Sequence, residues 1–87
     1  MSGQGGSIVC ANPHGRVFEI LTLRSAHGLF AMGAATTEHT WFPGYAWQVV
    51  CCMQCGTHLG WRFSHQSSGA VPPFFFGLIV SALVEDD

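Results

Sequence analysis

Apolar residues along this chain come in short runs, each closed by glycine, proline or serine before a helical period is established. The run "RVFEILTL" (16–23) alternates well enough for a strand, with Val17, Phe18, Ile20 and Leu21 apolar. "GLFAMGAA" (28–35) predicts a second short strand weakened by its glycines, "YAWQVV" (45–50) a third, "HLGWRFS" (58–64) a fourth and "FFFGLIVSAL" (74–83) a fifth. Between the last two, "HQSSGAVPP" (65–73) has the composition of a loop. Aromatic and β-branched runs separated by turn residues predict an all-β domain of antiparallel hairpins. Only "GLIVSALV" (77–84) suits strand and helix equally. The Gly/Ser-rich "MSGQGGS" (residues 1–7) reads as a flexible start or linker, 8–84 as the folded domain, and 85–87 as a solvated acidic tail.

Size and charge narrow the picture. A chain of 87 residues buries roughly 60–65% of its unfolded surface, so its core is thin and a metal or a partner is a common supplement. Hydrophobic residues make up 48% and charged residues 9%, against about 25% charged in an ordinary domain. So little charge implies apolar surface covered by something outside this chain, as in a piece of a larger protein. The net charge of −2 includes no lysine, and Arg16, Arg24 and Arg62 form no basic stripe. Phosphate-driven nucleic-acid binding therefore has no footing. "AVPPFFFGLIVSALV" (70–84) is too short to span a bilayer and is broken by Pro72 and Pro73, so a buried strand is expected and no membrane role. The first residues lack the basic start and apolar run of a secretory signal, which leaves an intracellular protein as the expectation.

Candidate chemistry begins at "CMQCG" (52–56). Two thiolates at this spacing reach one tetrahedral ion, and Gly56 permits the positive φ that aims backbone N–H groups at sulfur. The competing reading is a redox dithiol of Cys52 and Cys55, which ordinarily sits between a strand and a helix N-terminus. Here a strand follows, which favours a zinc knuckle. A structural zinc needs four ligands and the knuckle gives two. Cys51 faces away from Cys52 on a strand and reads as a small buried hydrophobe, while Cys10 stands alone. None of His14, His27, His39, His58 and His65 forms a pair at i,i+4 ligand spacing, and no triad motif is present. His27 and His65 fall in predicted loops. His58, just past the knuckle, reads as a hydrogen-bonded structural residue. His39 stands two residues before Trp41, where a polar group would line an aromatic cluster.

That cluster is the densest signal in the sequence. Trp61 and Phe63 are two apart on a predicted strand and project from one face, with Arg62 on the other. Trp47 comes from the preceding strand across the knuckle turn, and Trp41 precedes the Pro43-Gly44 turn. These rings form either the core of a small β domain or a box that holds a flat or cationic group.

"NPHG" (12–15), "TEHTWFPGYAW" (37–47), "C-x-x-C-x-x-HLGWRF" (52–63) and "FFFGLIVSAL" (74–83) together resemble the thalidomide-binding CULT domain family of cereblon-type proteins, in one continuous order from Asn12 to Leu83. The resemblance implies a β-tent, two antiparallel sheets pinned by a structural zinc. It implies a ligand cage of Trp41, Trp47, Trp61 and Phe63 that admits the glutarimide ring of thalidomide-type drugs. Hydrogen bonds to the imide would come from His39 and the backbone of Trp41, with Asn12 at the rim and Tyr45 close to the cage. Natural ligands of the family are cyclic imides at protein C-termini, and uridine-like rings also fit. The implied role is non-enzymatic: substrate recognition for a cullin–RING ubiquitin ligase, in cytoplasm and nucleus, whose partners are degron-bearing proteins. The ligase adaptor is engaged by parts this chain does not contain. Two departures stand out. The family's first C-x-x-C, upstream of "NPHG", is missing here, so zinc would keep only Cys52 and Cys55: either the β-tent is truncated at its N-terminus, or it folds without a full zinc site, with Cys10 as a helper. The family's "FWGL" is "FFGL" (Phe75 to Leu78).

Overall fold

The computed structural model describes residues 6–67 and 69–83. Residues 1–5 of the expected flexible start, Val84 and the acidic tail 85–87 lie outside the described residues. Six strands follow one another: β1 (Ser7–Ala11), β2 (Val17–Leu23), β3 (Leu29–Thr36), β4 (Tyr45–Cys52), β5 (His58–His65) and β6 (Phe74–Ile79). A 3₁₀ turn, Val80–Leu83, closes the described chain. The five expected strands are all present, and the protein is all-β and antiparallel throughout.

The expectation of two sheets is met by a single hydrogen-bonded sheet of order β1-β2-β6-β5-β4-β3. The strand responsible is β6, which pairs with β2 from Ile20↔Ile79 to Leu23↔Phe76 and with β5 from Gly60↔Leu78 to Ser64↔Phe74. It thereby joins the β1–β2 hairpin to the β3–β4–β5 meander. The strand β1 is an addition to the sequence reading. Only five residues long and mostly exposed, it follows directly on a Gly/Ser run, and its apolar stretch is too short to show a period. The segment that suited both strand and helix divides at Ile79, strand before and 3₁₀ turn after. His65, expected in a loop, is instead the last residue of β5 and packs edge-on against Tyr45 at 4.7 Å. The glycines that weaken β3 have a visible effect: Gly33 adopts a φ of 76°, and the β3–β4 register shifts between Met32 and Thr36.

Alternation places two apolar sets on opposite faces of the sheet. One face buries Leu23, Val50 and Leu78 with Leu21, Leu29, Phe76 and Leu83 around them. The other buries Ile20, Trp61 and Phe63, flanked by Phe18, Val49, Phe75 and Ile79. Gly77 makes this second face compact. A methyl there would stand 2.9 Å from Ile20 Cδ1 and 3.0 Å from Phe63 Cε2, so only a hydrogen lets these two side chains close over β6. Among the described residues no helix is long and apolar enough to cross a membrane.

Candidate functional site

The aromatic face is covered by the segment between β3 and β4. A turn closed by the Thr40 N–H donating to the Thr37 carbonyl at 3.2 Å puts His39 at a φ of 61°, the one non-glycine residue in this region among those described. Such a conformation costs on the order of 1 kcal/mol or more. Pro43 and Gly44 then return the chain to β4, with the Tyr45 N–H donating to the Phe42 carbonyl at 2.9 Å. The outcome is that Trp41 and Phe42 fold back over the sheet. Trp41 meets Trp61 edge-on at 4.9 Å and Phe63 at 6.4 Å, and Phe42 packs edge-on to Phe63 at 4.8 Å.

Two indole N–H groups are committed to the backbone. Trp41 Nε1 donates to the Ala11 carbonyl at 2.9 Å, and Trp47 Nε1 to the Glu38 carbonyl at 2.8 Å. These bonds fix the ring planes and leave the ring faces as the remaining contact surface. Trp47 lies directly opposite Phe63, and Val49 opposite Trp61, in the β4–β5 ladder. Phe63 is 1% exposed and Trp61 8%, whereas Trp41 and Trp47 are half-buried. Trp61 and Phe63 therefore belong to the core, and Trp41 and Trp47 stand half-buried beside them.

Between them opens a cavity of about 690 Å³ lined by Trp41, Trp47, Trp61 and Phe63 together with His39 and Asn12. Its size falls within the usual range for small-molecule sites, roughly 300–1,000 Å³. Asn12 shapes the β1–β2 turn, its Oδ1 accepting from the backbone N–H groups of His14 at 3.0 Å and Arg16 at 2.9 Å. His39 is mainly exposed, with Nε2 3.7 Å from Glu38 Oε2. Tyr45 is not among the lining residues. Its hydroxyl donates to the Pro72 carbonyl at 2.7 Å and its ring packs on Phe75 at 5.2 Å, away from the cavity. Sequence reasoning missed Phe18, which lines the cavity and meets Trp61 edge-on at 5.2 Å. Its spacing from Ile20 on β2 was the available signal. Missed as well were the lining residues Arg16 and His58, the latter bonded to the Gly60 carbonyl at 3.1 Å and edge-on to Trp61 at 5.0 Å.

The knuckle forms at the β4–β5 connection. The Gly56 N–H donates to the Cys52 carbonyl at 2.8 Å, the Cys52 N–H donates to the Thr57 carbonyl at 2.8 Å, and Gly56 has the expected positive φ of 78°. Cys55 is exposed, with Sγ 3.1 Å from Thr57 Oγ1. Hydrogen bonds from the Thr57 hydroxyl first, then from the Thr57 backbone and Cys52, hold its thiol below the ordinary value. Cys51 faces the other way, buried with its thiol 3.5 Å from Met32 Sδ. Cys10 joins the aromatic face against the core, not the knuckle, and burial pushes its thiol up. No group of three or more metal-ligating residues occurs among the described residues. The turn thus fits half of a tetrahedral zinc set, and Cys10 does not extend it.

No protein-family model matches the chain. Individual relatives do. Protein cereblon of Danio rerio is 44% identical over 84 residues, covering 97% of this chain and 20% of that protein. Protein cereblon of Gallus gallus is 47% identical over 73 residues, covering 84% of this chain and 16% of that protein. Protein cereblon of Drosophila melanogaster is 34% identical over 85 residues, covering 95% of this chain and 14% of that protein. The chain spans a fifth or less of the length of these relatives. Homology that runs through nearly every residue of this sheet, from vertebrates to insects, places the chain in the cereblon family as the counterpart of one segment of those proteins.

Proposed function

We propose that this chain is a non-enzymatic binding module. Its cage of Trp41, Trp47, Trp61 and Phe63 takes a flat cyclic imide, either the glutarimide ring of thalidomide-type compounds or a cyclic imide at a protein C-terminus. Uridine-like rings are alternative occupants. The observation that carries this reading is the convergence of those four rings on one cavity with His39 and Asn12 at its edge. In this assignment His39 and the Trp41 backbone bond the imide, Asn12 supports the rim, and Tyr45 braces Phe75 behind the cage. The Trp41 and Trp47 N–H groups are already bonded to carbonyls, so their faces do the stacking. In the longer protein the module would recognise degron-bearing substrates for a cullin–RING ligase in cytoplasm and nucleus, with adaptor contacts made by other segments. Zinc, where a further segment completes the ligand set begun by Cys52 and Cys55, would brace the β4–β5 turn structurally.

Thermal unfolding of the chain with and without 3-aminoglutarimide tests the reading. A ligand at 100 times its Kd stabilises the folded state by about 2.7 kcal/mol. The expected outcome is a concentration-dependent rise in Tm that Trp47→Ala eliminates. An unchanged Tm at millimolar ligand, in a chain that unfolds cooperatively, would remove the basis of the proposal.

A further inference from the structure

The cavity extends past the cage toward the β1–β2 turn, where His14 and Arg16 join its lining. The electrostatics there run against the molecule as a whole. The chain is net negative at −2, yet among the described residues no aspartate or glutamate lines the cavity, while Arg16 does, beside the hydrogen-bonding side chains of His14, His39 and His58. Arg16 is one of only three cations in the sequence. Its guanidinium lies 5.0 Å from the Phe18 ring centroid, a cation–π arrangement that holds it in place. No ion pair to a carboxylate is present for it among the described residues. Phe18 in turn lies 6.1 Å from Trp41 and 5.2 Å from Trp61. The guanidinium therefore stands one ring beyond the cage wall, within reach of a short arm projecting from a ring inside it.

We infer that the site prefers ring ligands that carry an oxyanion on a short arm, a carboxylate or a phosphate, with Arg16 as the specificity-determining residue. The inference rests on the cage reading above and adds the chemistry of the exposed end of the ligand. A planar guanidinium presents paired N–H donors matched to carboxylate and phosphate oxygens. Being exposed, it contributes selectivity more than affinity. The Arg16 backbone, not its side chain, holds the β1–β2 turn, donating to Asn12 Oδ1 and accepting from the Asn12 N–H at 2.9 Å. Replacing the side chain should therefore leave the fold intact.

The test uses two matched pairs of ligands on the whole chain. The first is 3-aminoglutarimide acylated with succinate, ending in a carboxylate, against its terminal carboxamide. The second is uridine 5′-monophosphate against uridine. At low salt the anionic member of at least one pair is expected to bind roughly two- to ten-fold more tightly than its neutral counterpart. The preference, taken as the ratio of anionic to neutral affinity within each variant, should shrink as salt rises, vanish in Arg16→Gln and survive in part in Arg16→Lys. A preference confined to one pair identifies the oxyanion as carboxylate or phosphate. Equal binding within both pairs, or a preference that persists in Arg16→Gln, overturns the inference while leaving the cage reading intact. If no ligand binds the folded chain, the cage reading fails and this inference goes with it.

Discussion

His39 carries the sharpest local tension in the molecule. A β-substituted residue at a φ of 61° is tolerated because the turn closed by Thr37 and Thr40 and the Trp47–Glu38 bond fix the segment around it. Strain of this kind is characteristic of ligand clamps. His39→Gly removes the strain along with the imidazole, so its Tm is expected to equal or exceed that of the parent while imide affinity falls several-fold. A drop in Tm with unchanged affinity would assign His39 to structure instead. Gly77 has the opposite character, since its role is purely one of space. In Gly77→Ala the new methyl would press on Ile20 and Phe63, and urea unfolding should show a loss of about 1–3 kcal/mol. The thiols give a third residue-level outcome. In metal-free protein Cys55, exposed and shifted down by Thr57, is expected to alkylate before Cys10, which burial shifts up. Mass mapping of a partial iodoacetamide reaction checks the order, and Thr57→Val should slow Cys55 specifically.

At the scale of elements, strands were legible wherever an apolar run was long enough to show its period. Val17 to Leu23, Tyr45 to Cys52 and His58 to His65 send successive side chains to opposite faces, Ile20, Trp61 and Phe63 to one core and Leu23 and Val50 to the other, and their apolar runs are long enough to display it. β1 was not legible, because it earns its place by pairing with β2 at the sheet edge and not by burying a face of its own. Nor was the single sheet, because the position of β6 between β2 and β5 depends on long-range pairing that local pattern does not encode. The aromatic cluster was half legible. Trp61 and Phe63 follow from alternation, and Trp41 and Trp47 from their motif, but Phe18 reaches the cavity through β2 pairing and Arg16 through the β1–β2 turn, neither of which the sequence revealed. Tyr45 shows how nearness in sequence can mislead about contact. It begins the strand that carries Trp47, yet its hydroxyl faces the Pro72 carbonyl, tying β4 to the segment before β6. Tyr45→Phe should therefore cost about 0.5–1.5 kcal/mol of stability with ligand affinity unchanged. Weakened binding at unchanged stability would move Tyr45 into the site.

As a whole molecule the chain is a sheet with a core on each face, one of them extended by an aromatic cover into a cavity. The most deeply buried large side chains of the two cores, Ile20, Phe63 and Val50, all lie on strands and not in the knuckle. Chelator treatment is accordingly expected to leave the near-ultraviolet circular dichroism and the unfolding midpoint where they were. Collapse of the aromatic dichroism in chelator would mean that metal at Cys52 and Cys55 holds the cage together. Exposed apolar side chains sit at both edges of the sheet, with Val9 69% exposed on β1 and Met32 51% exposed on β3. That distribution agrees with the low charge of the sequence and with relatives several times its length.

The central claim is that Trp41, Trp47, Trp61 and Phe63 enclose a ligand. The most direct measurement is a tryptophan-fluorescence titration of the chain with a glutarimide, repeated on Trp47→Ala and on Tyr45→Phe. Saturable quenching that is lost in Trp47→Ala and kept in Tyr45→Phe is the predicted result. Emission that stays flat in the folded parent chain, or quenching that Trp47→Ala leaves untouched, would contradict it.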